Sequence, residues 1–219
     1  DVRKGKGLTP EYEAAMRAVN VPTFYIQSCK KIKYLFPKAH AVAYVTMAVR
    51  VAYFKVHHPL AYYATYFTLR SKQYDYDAML MTPKQIYEKL EDFKRMKATS
   101  RKRLSPKDAD IEVTLMNVLE MKERGYHMLP LDLEKSSATA FQIDEARQGI
   151  LPPFIVLDGL GEAAANSVVE ARQQQPFLSV DDLKNRTKLS KTNIDHMKQR
   201  GVLDQLNRTE TISLFSFDA

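Results

Sequence analysis

Three side chains that could do chemistry lie close together at the start of one apolar stretch. The run extends from Ala41 to Phe54, and its one charged residue is Arg50. Lys38 and His40 come just before it, and Tyr44 is its fourth residue. Residues four apart share a helix face, so His40 and Tyr44 lie one turn apart. A helix N-terminus beside a lysine attracts an anion such as a phosphate. A histidine that is hydrogen-bonded inside a core fits the same pattern, and both interpretations stay open.

The element that must position these side chains is a helix bounded by prolines. Pro37 suits the first turn of a helix, and Pro59 prevents its continuation. The run of fourteen residues from Ala41 to Phe54 is too short to span a bilayer. Because apolar residues lie nearly all round this helix, we expect it to be buried inside a domain.

The positive charge of the chain is concentrated near its beginning. The net charge is +7, and residues 1–55 hold ten Lys and Arg but three Asp and Glu, whereas residues 56–219 hold 23 of each sign. Such a bias predicts a surface that faces a polyanion, the alternative being a basic face without a partner. The basic residues predicted to contact DNA here are Arg3, Lys4, Lys6, Lys30, Lys31 and Lys33.

A second phosphate-binding pattern lies in the last third of the chain. The sequence Leu157-Asp158-Gly159-Leu160-Gly161 precedes a helix that begins at Glu162, as in a helix-hairpin-helix unit. Glycines let backbone N–H groups approach a phosphate without side chains in the way, and such binding follows the DNA backbone without reading bases. The predicted contacts are Gly159, Leu160 and Gly161.

A weaker copy of this unit follows, with Lys188-Leu189-Ser190 as its hairpin and a helix from Lys191. Its hairpin lacks glycine, so it either contacts DNA through Lys188, Ser190 and Lys191 or only completes the fold of the pair. Residues 151–208 carry eight basic and seven acidic residues, which predicts low DNA affinity for this half alone.

The remaining sequence predicts further helices and one small sheet. Caps and prolines indicate helices over about 9–19, 23–34 and 83–97, and the aromatic residues of a helix over 62–69 are expected in the core. A helix over 108–124 would turn its apolar side inward and end at Gly125; its apolar positions are Val113, Met116, Leu119 and Met121. Segments 129–133, 140–143 and 150–151 predict a two- or three-stranded sheet.

Composition excludes several other classes of protein. Cys29 is the one cysteine, so no disulfide framework can form within the chain, and no signal peptide or membrane-spanning run is present. The adjacent His57 and His58 would point about 100° apart on a helix and make a poor metal pair, so no metal site is predicted.

The run FPKAHAVAYVTMAVRVAYFKVHHPLAYYATYF closely resembles the fingers of the C family of bacterial replicative DNA polymerases, in its Gram-positive (PolC) form. Val2 to Leu8 and the C-terminal third match that family in the same order. The resemblance assigns the incoming deoxynucleoside triphosphate to Lys38, His40 and Tyr44, with Arg50 as a further member.

The end of the chain resembles the peptide Gln-Leu-Ser/Asp-Leu-Phe by which bacterial polymerases bind the sliding clamp. Its clamp-binding residues would be Thr211, Ile212, Ser213, Leu214 and Phe215. Thr211 stands where the family has glutamine, which would weaken the contact. A tail that packs on its own domain is the alternative.

The resemblance implies a mostly α-helical fragment of four parts: fingers (1–128), a small β hinge (129–152), a tandem helix-hairpin-helix domain (153–206) and a clamp-binding tail (207–219). Its partners would be primer-template DNA, the nucleotide, the clamp and the palm and thumb of the same polymerase, in the bacterial cytoplasm. The catalytic aspartates and their Mg²⁺ belong to the palm, so we assign no catalytic residue or cofactor here and expect the fragment to be inactive. The alternative is a stand-alone helix-hairpin-helix DNA-binding or scaffold protein without catalysis.

Overall fold

The computed structural model describes residues 1–35, 37–99 and 104–206. The chain divides into two compact units, Asp1–Tyr53 and Phe54–Ala219, which we call the N-terminal and C-terminal units. Ten α-helices and three short strands lie in the described residues, which confirms the mostly helical fold class. The four predicted parts divide the chain at other positions, and their limits stay predictions.

The N-terminal unit has two short helices and a small core. Helix α1 (Pro10–Ala18) begins as predicted, because the Thr9 hydroxyl accepts a hydrogen bond from the Tyr12 N–H at 3.4 Å. Helix α2 (Thr23–Lys31) ends three residues earlier than the sequence suggested. Among the described residues of this unit, the buried hydrophobic side chains are Ile26 and Cys29.

Helix α3 extends from Lys38 to His57 and has no buried residue. The prediction that it is buried inside a domain is therefore wrong for this chain. Nearly continuous apolar sequence shows that a helix requires a covering surface, but it does not show where that surface comes from. The described part of the chain does not cover it: Tyr44 is 67% exposed, Val45 62% and Val49 62%.

Four helices begin the C-terminal unit: α4 (Pro59–Leu69), α5 (Tyr76–Leu80), α6 (Pro83–Thr99) and α7 (Pro106–Glu123). Tyr63 and Phe67 of α4 are fully buried, as expected of aromatic residues in a core.

Helix α7 buries part of the side predicted from the sequence, because Met121 is fully buried and Leu119 packs against the core. Its buried residues are Ile111, Thr114, Leu115, Val118 and Met121. Two of the apolar positions assigned from the sequence were wrong, because Val113 is 50% exposed and Met116 56%. The chain leaves this helix at Gly125 with a φ of +86°, as predicted for its C-terminal cap.

A three-stranded sheet follows in the order β1-β3-β2, from β1 (His127–Met128), β2 (Gln142–Asp144) and β3 (Gly149–Leu151). Strand β3 pairs in parallel with β1 and antiparallel with β2, with Ile143 opposite Ile150. A small sheet is confirmed, but residues 129–133 do not form a strand. Asp132 turns the chain there by accepting hydrogen bonds from the N–H groups of Glu134 and Lys135.

The C-terminal third contains three helices around two hairpins. They are α8 (Glu162–Gln174), α9 (Val180–Arg186) and α10 (Lys191–Gln199). A short 3₁₀ helix (Phe154–Val156) leads into the first hairpin, and its residue Phe154 is fully buried. Helices and hairpins therefore lie where the tandem pattern places them.

Candidate nucleic-acid interface

The first hairpin turns its backbone outward. Gly159 has a φ of +75°, which favours glycine, and a Cβ atom at Gly159 or Gly161 would have no neighbouring atom within 4 Å. The N–H groups of Gly159, Gly161 and Glu162 donate no hydrogen bond to the described part of the chain. Helix α8 begins at Gly161 without a side-chain cap. Unpaired donors at the positive end of a helix are suited to bind an anion.

Leu160 anchors this hairpin in the core. Its side chain is 3% exposed, and its N–H donates to the Leu157 carbonyl oxygen at 3.1 Å. Leu160 therefore holds the turn in place, whereas the flanking glycines face solvent. Its predicted contact with DNA stays a prediction.

One acidic side chain lies within the first hairpin. Asp158 is 73% exposed, and its Oδ1 lies 3.1 Å from the Nζ of Lys107, the second residue of α7. A carboxylate here would repel a phosphate, so the lysine offsets an unfavourable charge. Because both side chains are exposed, the pair contributes little to stability.

The second hairpin uses its backbone N–H groups within the protein. The N–H of Lys188 donates to the Ser167 Oγ at 2.8 Å, and that of Ser190 to the Asn193 Oδ1 at 3.0 Å. Ser190 and Asn193 also form a reciprocal cap at the start of α10. The side chains of Lys188 and Lys191 are exposed, so any contact of this hairpin with an anion would be made by side chains.

The basic residues of the N-terminal unit are exposed but not equally available. The Nζ of Lys30 lies 2.6 Å from Glu13, and that of Lys6 lies 3.6 Å from Asp1. Hydrogen bonds from Lys30, and then from Arg17, hold the pKa of the Glu13 carboxyl below its usual value.

The four other predicted DNA contacts of this unit form no ion pair with a described residue. These are Arg3, Lys4, Lys31 and Lys33. The fold brings two of the segments together, because the Leu35 N–H donates to the Arg3 carbonyl oxygen at 3.2 Å. A Cβ atom at Gly5 would lie 2.0 Å from the Lys33 carbonyl oxygen, so only glycine allows this close approach.

The predicted nucleotide-binding residues all lie on the exposed helix α3. The rings of His40 and Tyr44 meet edge to face with centroids 4.4 Å apart, as their spacing of one turn indicates. Lys38 is the first residue of the helix, and the Nη1 of Arg50 lies 4.0 Å from the Sδ of Met47. His40 is exposed, so the core formed by the described residues does not enclose it.

Several other predictions concern absent or undescribed features. The clamp-binding residues Thr211–Phe215 lie outside the described residues. In the parts of the chain that the structure describes, no helix is long and apolar enough to cross a membrane. No group of three or more His, Cys, Asp and Glu side chains among those same residues could hold a metal ion.

Comparison with known proteins shows which proteins this chain resembles. A helix-hairpin-helix motif model matches residues 125–211. The chain is 49% identical over 98% of its length to DNA polymerase III PolC-type of Bacillus subtilis, and 48% identical over 98% to that of Thermotoga maritima. Nearly the whole chain is thus similar to one segment of PolC-type DNA polymerase III. It spans only 14–15% of the length of these two PolC-type relatives.

A less similar PolC-type protein, that of Ureaplasma parvum, is 41% identical to this chain. The match covers 98% of this chain and 15% of that protein. The matches include the exposed helix α3 as well as both hairpins. The predicted resemblance and the predicted helix-hairpin-helix motif are thus confirmed.

Sequence reasoning missed three residues that shape the first hairpin: Lys72, Lys107 and Asn193. Asn193 had a local signal, since Ser190-x-x-Asn193 before a helix is typical of a reciprocal cap. Lys72 and Lys107 had none, because they are distant in sequence: Lys107 pairs with Asp158 of the hairpin, and Lys72 lines the cleft beside it.

Proposed function

We propose that this chain holds the backbone of duplex DNA for a replicative polymerase, chiefly through the first hairpin. The observation that carries the proposal is the outward turn at Gly159 and Gly161, whose N–H groups are unpaired at the uncapped start of α8. Such donors bind phosphate whatever the base sequence. The exposed cations of the N-terminal unit would add a further salt-dependent contribution.

The experiment is a salt titration of this chain with a fluorescent duplex, followed by anisotropy. We expect binding that does not depend on base sequence and weakens strongly with salt, because each neutralised phosphate contributes about 0.9 to the slope of log K against log salt. Replacing Gly159 and Gly161 together by valine should weaken binding, since Cβ branches would cover the donors. Equal affinity of the double variant and the wild type would remove the hairpin from the proposal.

We also propose that α3 forms the fingers side of the incoming nucleotide site in the whole polymerase. The exposed His40–Tyr44 pair, with Lys38 at the first turn, supports this assignment, and Arg50 lies further along the same helix. Loss of one charge-assisted contact with a phosphate should cost about 1.5–3 kcal/mol. Replacing Lys38 or His40 by alanine should therefore raise the KM for nucleotide about ten- to a hundredfold, with little effect on DNA binding. An unchanged KM on primed DNA would contradict the assignment.

The exposed apolar side chains of α3 support a further part of this proposal, namely that the rest of the polymerase covers this helix. An exposed apolar surface of this extent on a soluble protein indicates an interaction. Nucleotidyl transfer itself would require the palm carboxylates and Mg²⁺, so we expect no polymerisation by this chain alone. A stand-alone binding protein is disfavoured, because the relatives match the first 60 residues as well as the hairpins.

The tail 209–219 is proposed to bind the sliding clamp, with Leu214 and Phe215 as apolar anchors. Burial of such a side chain contributes about 1.5–3 kcal/mol before the cost of ordering the peptide, so we expect micromolar affinity at best. Calorimetry of the peptide against purified clamp tests this, beside a peptide with alanine at both positions. Replacing Thr211 by glutamine should tighten binding. Equal heats from the wild-type and the double-alanine peptide would contradict the proposal.

A further inference from the structure

The first hairpin forms one wall of a cleft whose other wall comes from a distant part of the sequence. Residues 155–161 line one side, and Lys72, Gln73 and Tyr74 of the α4–α5 loop line the other. The cleft has a volume of about 470 Å³, which is large enough for a phosphate group. Lys72 and the glycines of the hairpin therefore border one space.

The α4–α5 loop is held in a fixed conformation by buried contacts. The Gln73 carbonyl oxygen accepts a hydrogen bond at 2.9 Å from the hydroxyl of Thr114, a residue that is 1% exposed. The Tyr74 hydroxyl donates to the Phe67 carbonyl oxygen at 2.7 Å. Because Gln73 and Tyr74, the two residues that follow Lys72, are tied to the core, the backbone on that side of Lys72 has little freedom to move away from the hairpin.

Among the residues that line the cleft, Lys72 is the one cation, and no acidic side chain of the described residues pairs with it. Asp158 pairs with Lys107 at 3.1 Å, Asp75 with Lys89 at 2.6 Å, and Asp77 with Arg200 at 2.7 Å. Lys72 is exposed and forms no ion pair with any described residue. The cleft thus combines unpaired backbone donors with one unmatched positive charge, a combination that favours an anion.

We propose that Lys72 completes the phosphate site of the first hairpin, so that one backbone phosphate of the duplex is bound from both walls of the cleft. The hairpin donates backbone hydrogen bonds, and Lys72 supplies the neutralising charge that residues 151–208, with their net charge of +1, provide only weakly. Lys107 acts indirectly, because it offsets the charge of Asp158 beside the same phosphate. This inference rests on the proposed binding of duplex DNA by the hairpin.

The test compares Lys72→Gln with Lys135→Gln in salt titrations of this whole chain with a fluorescent duplex. Lys135 is a matched control because it is also exposed, lies in the turn at Asp132 and is not among the residues that line the cleft. We expect Lys72→Gln to weaken binding about tenfold at 100 mM salt and to reduce the salt slope by about one. Lys135→Gln should change the affinity less than twofold. Lys72→Arg should restore most of the binding.

Two further variants identify which part of the proposal fails. Asp158→Asn should tighten binding, since it removes a negative charge from the hairpin and frees Lys107. If Lys72→Gln behaves as Lys135→Gln does while the Gly159 and Gly161 double variant loses binding, the hairpin binds DNA without Lys72 and the inference is wrong. If neither the hairpin nor the lysine variant changes duplex binding, the proposed function of the hairpin is wrong as well. Thermal melting of every variant checks that the fold is intact.

Discussion

The side-chain amide of Asn193 donates a hydrogen bond to the Gly159 carbonyl oxygen at 3.1 Å. The same side chain caps α10 by accepting from the Ser190 N–H, and it is 5% exposed. One buried residue of the second hairpin unit therefore fixes the position of the first hairpin. The second unit need not bind DNA itself to affect the hairpin that we propose binds it.

Replacing Asn193 by alanine should lower both stability and duplex binding. The change removes a helix cap and leaves the Gly159 carbonyl without its donor, which should cost about 1–3 kcal/mol. Asn185→Ala is the control, since that residue is exposed on α9 and its loss should cost less than about 0.5 kcal/mol. Urea unfolding and duplex anisotropy of both variants provide the measurement. An unaltered DNA affinity in a destabilised Asn193→Ala would show that the bond to Gly159 does not orient the hairpin.

A second connection joins the end of α10 to α5. The Arg200 guanidinium binds the Asp77 carboxylate through two hydrogen bonds of 2.9 and 2.7 Å, and it lies 5.9 Å from the centre of the Tyr76 ring. Arg200→Lys retains the charge but loses the paired geometry, so we expect it to lower the free energy of unfolding by about 0.5–1 kcal/mol. A double-mutant cycle with Asp77→Asn measures the coupling. A coupling of zero would reduce this pair to a surface contact.

Stability should depend on pH through Asp75. Burial raises the pKa of this carboxyl. Hydrogen bonds from Lys89 and from the Ala78 N–H lower the pKa by more than burial raises it, so the pKa lies below its usual value. A depressed folded-state pKa means that the stabilisation is present above the unfolded value, about 4, and is lost as pH falls through the folded value. Asp75→Asn should thus destabilise at pH 7 by about 1 kcal/mol and much less at pH 3. The measurement is the urea midpoint at both pH values, with the exposed Asp92→Asn as control. An equal loss of stability at pH 7 and pH 3 would show that the charge of Asp75 does not stabilise the fold.

The sequence predicted those features of the fold that depend on local chemistry. Thr9, Gly125 and the Gly159–Gly161 turn lie where caps and positive φ angles require such residues. Helix α5 was missed because five residues give no readable periodicity, although Asp75 caps it. The strand expected over 129–133 fails because Asp132 favours a turn. The exposure of α3 could not be predicted, since its apolar residues indicate the need for a covering surface that the described residues do not provide.

The exposure of His40 leads to a prediction for this chain alone. If His40 is a surface residue, His40→Ala should change the free energy of unfolding by less than about 0.5 kcal/mol. Tyr63→Ala is the contrasting variant, because that side chain is fully buried and its loss should cost about 3–5 kcal/mol. Thermal or urea unfolding measures both. A large loss for His40→Ala would restore the interpretation of His40 as a core residue.

Two glycines of the C-terminal unit offer a direct test of the proposed phosphate-binding hairpin. Gly125 and Gly159 have φ angles of +86° and +75°, and a Cβ atom at either would meet nothing within 4 Å. Replacement by alanine should therefore cost a similar amount at both positions, about 1–2 kcal/mol. Only Gly159 lies in the hairpin, so the two variants separate backbone strain from a blocked phosphate site.

The deciding measurement is the dissociation constant of Gly125→Ala and Gly159→Ala for the same fluorescent duplex at 50 mM salt. Loss of one charge-assisted contact, about 1.5–3 kcal/mol, corresponds to at least tenfold weaker binding for Gly159→Ala. The dissociation constant of Gly125→Ala should stay within twofold of the wild-type value, although both variants should have similar melting temperatures. Equal dissociation constants for the two variants would contradict the assignment of the DNA backbone to the first hairpin.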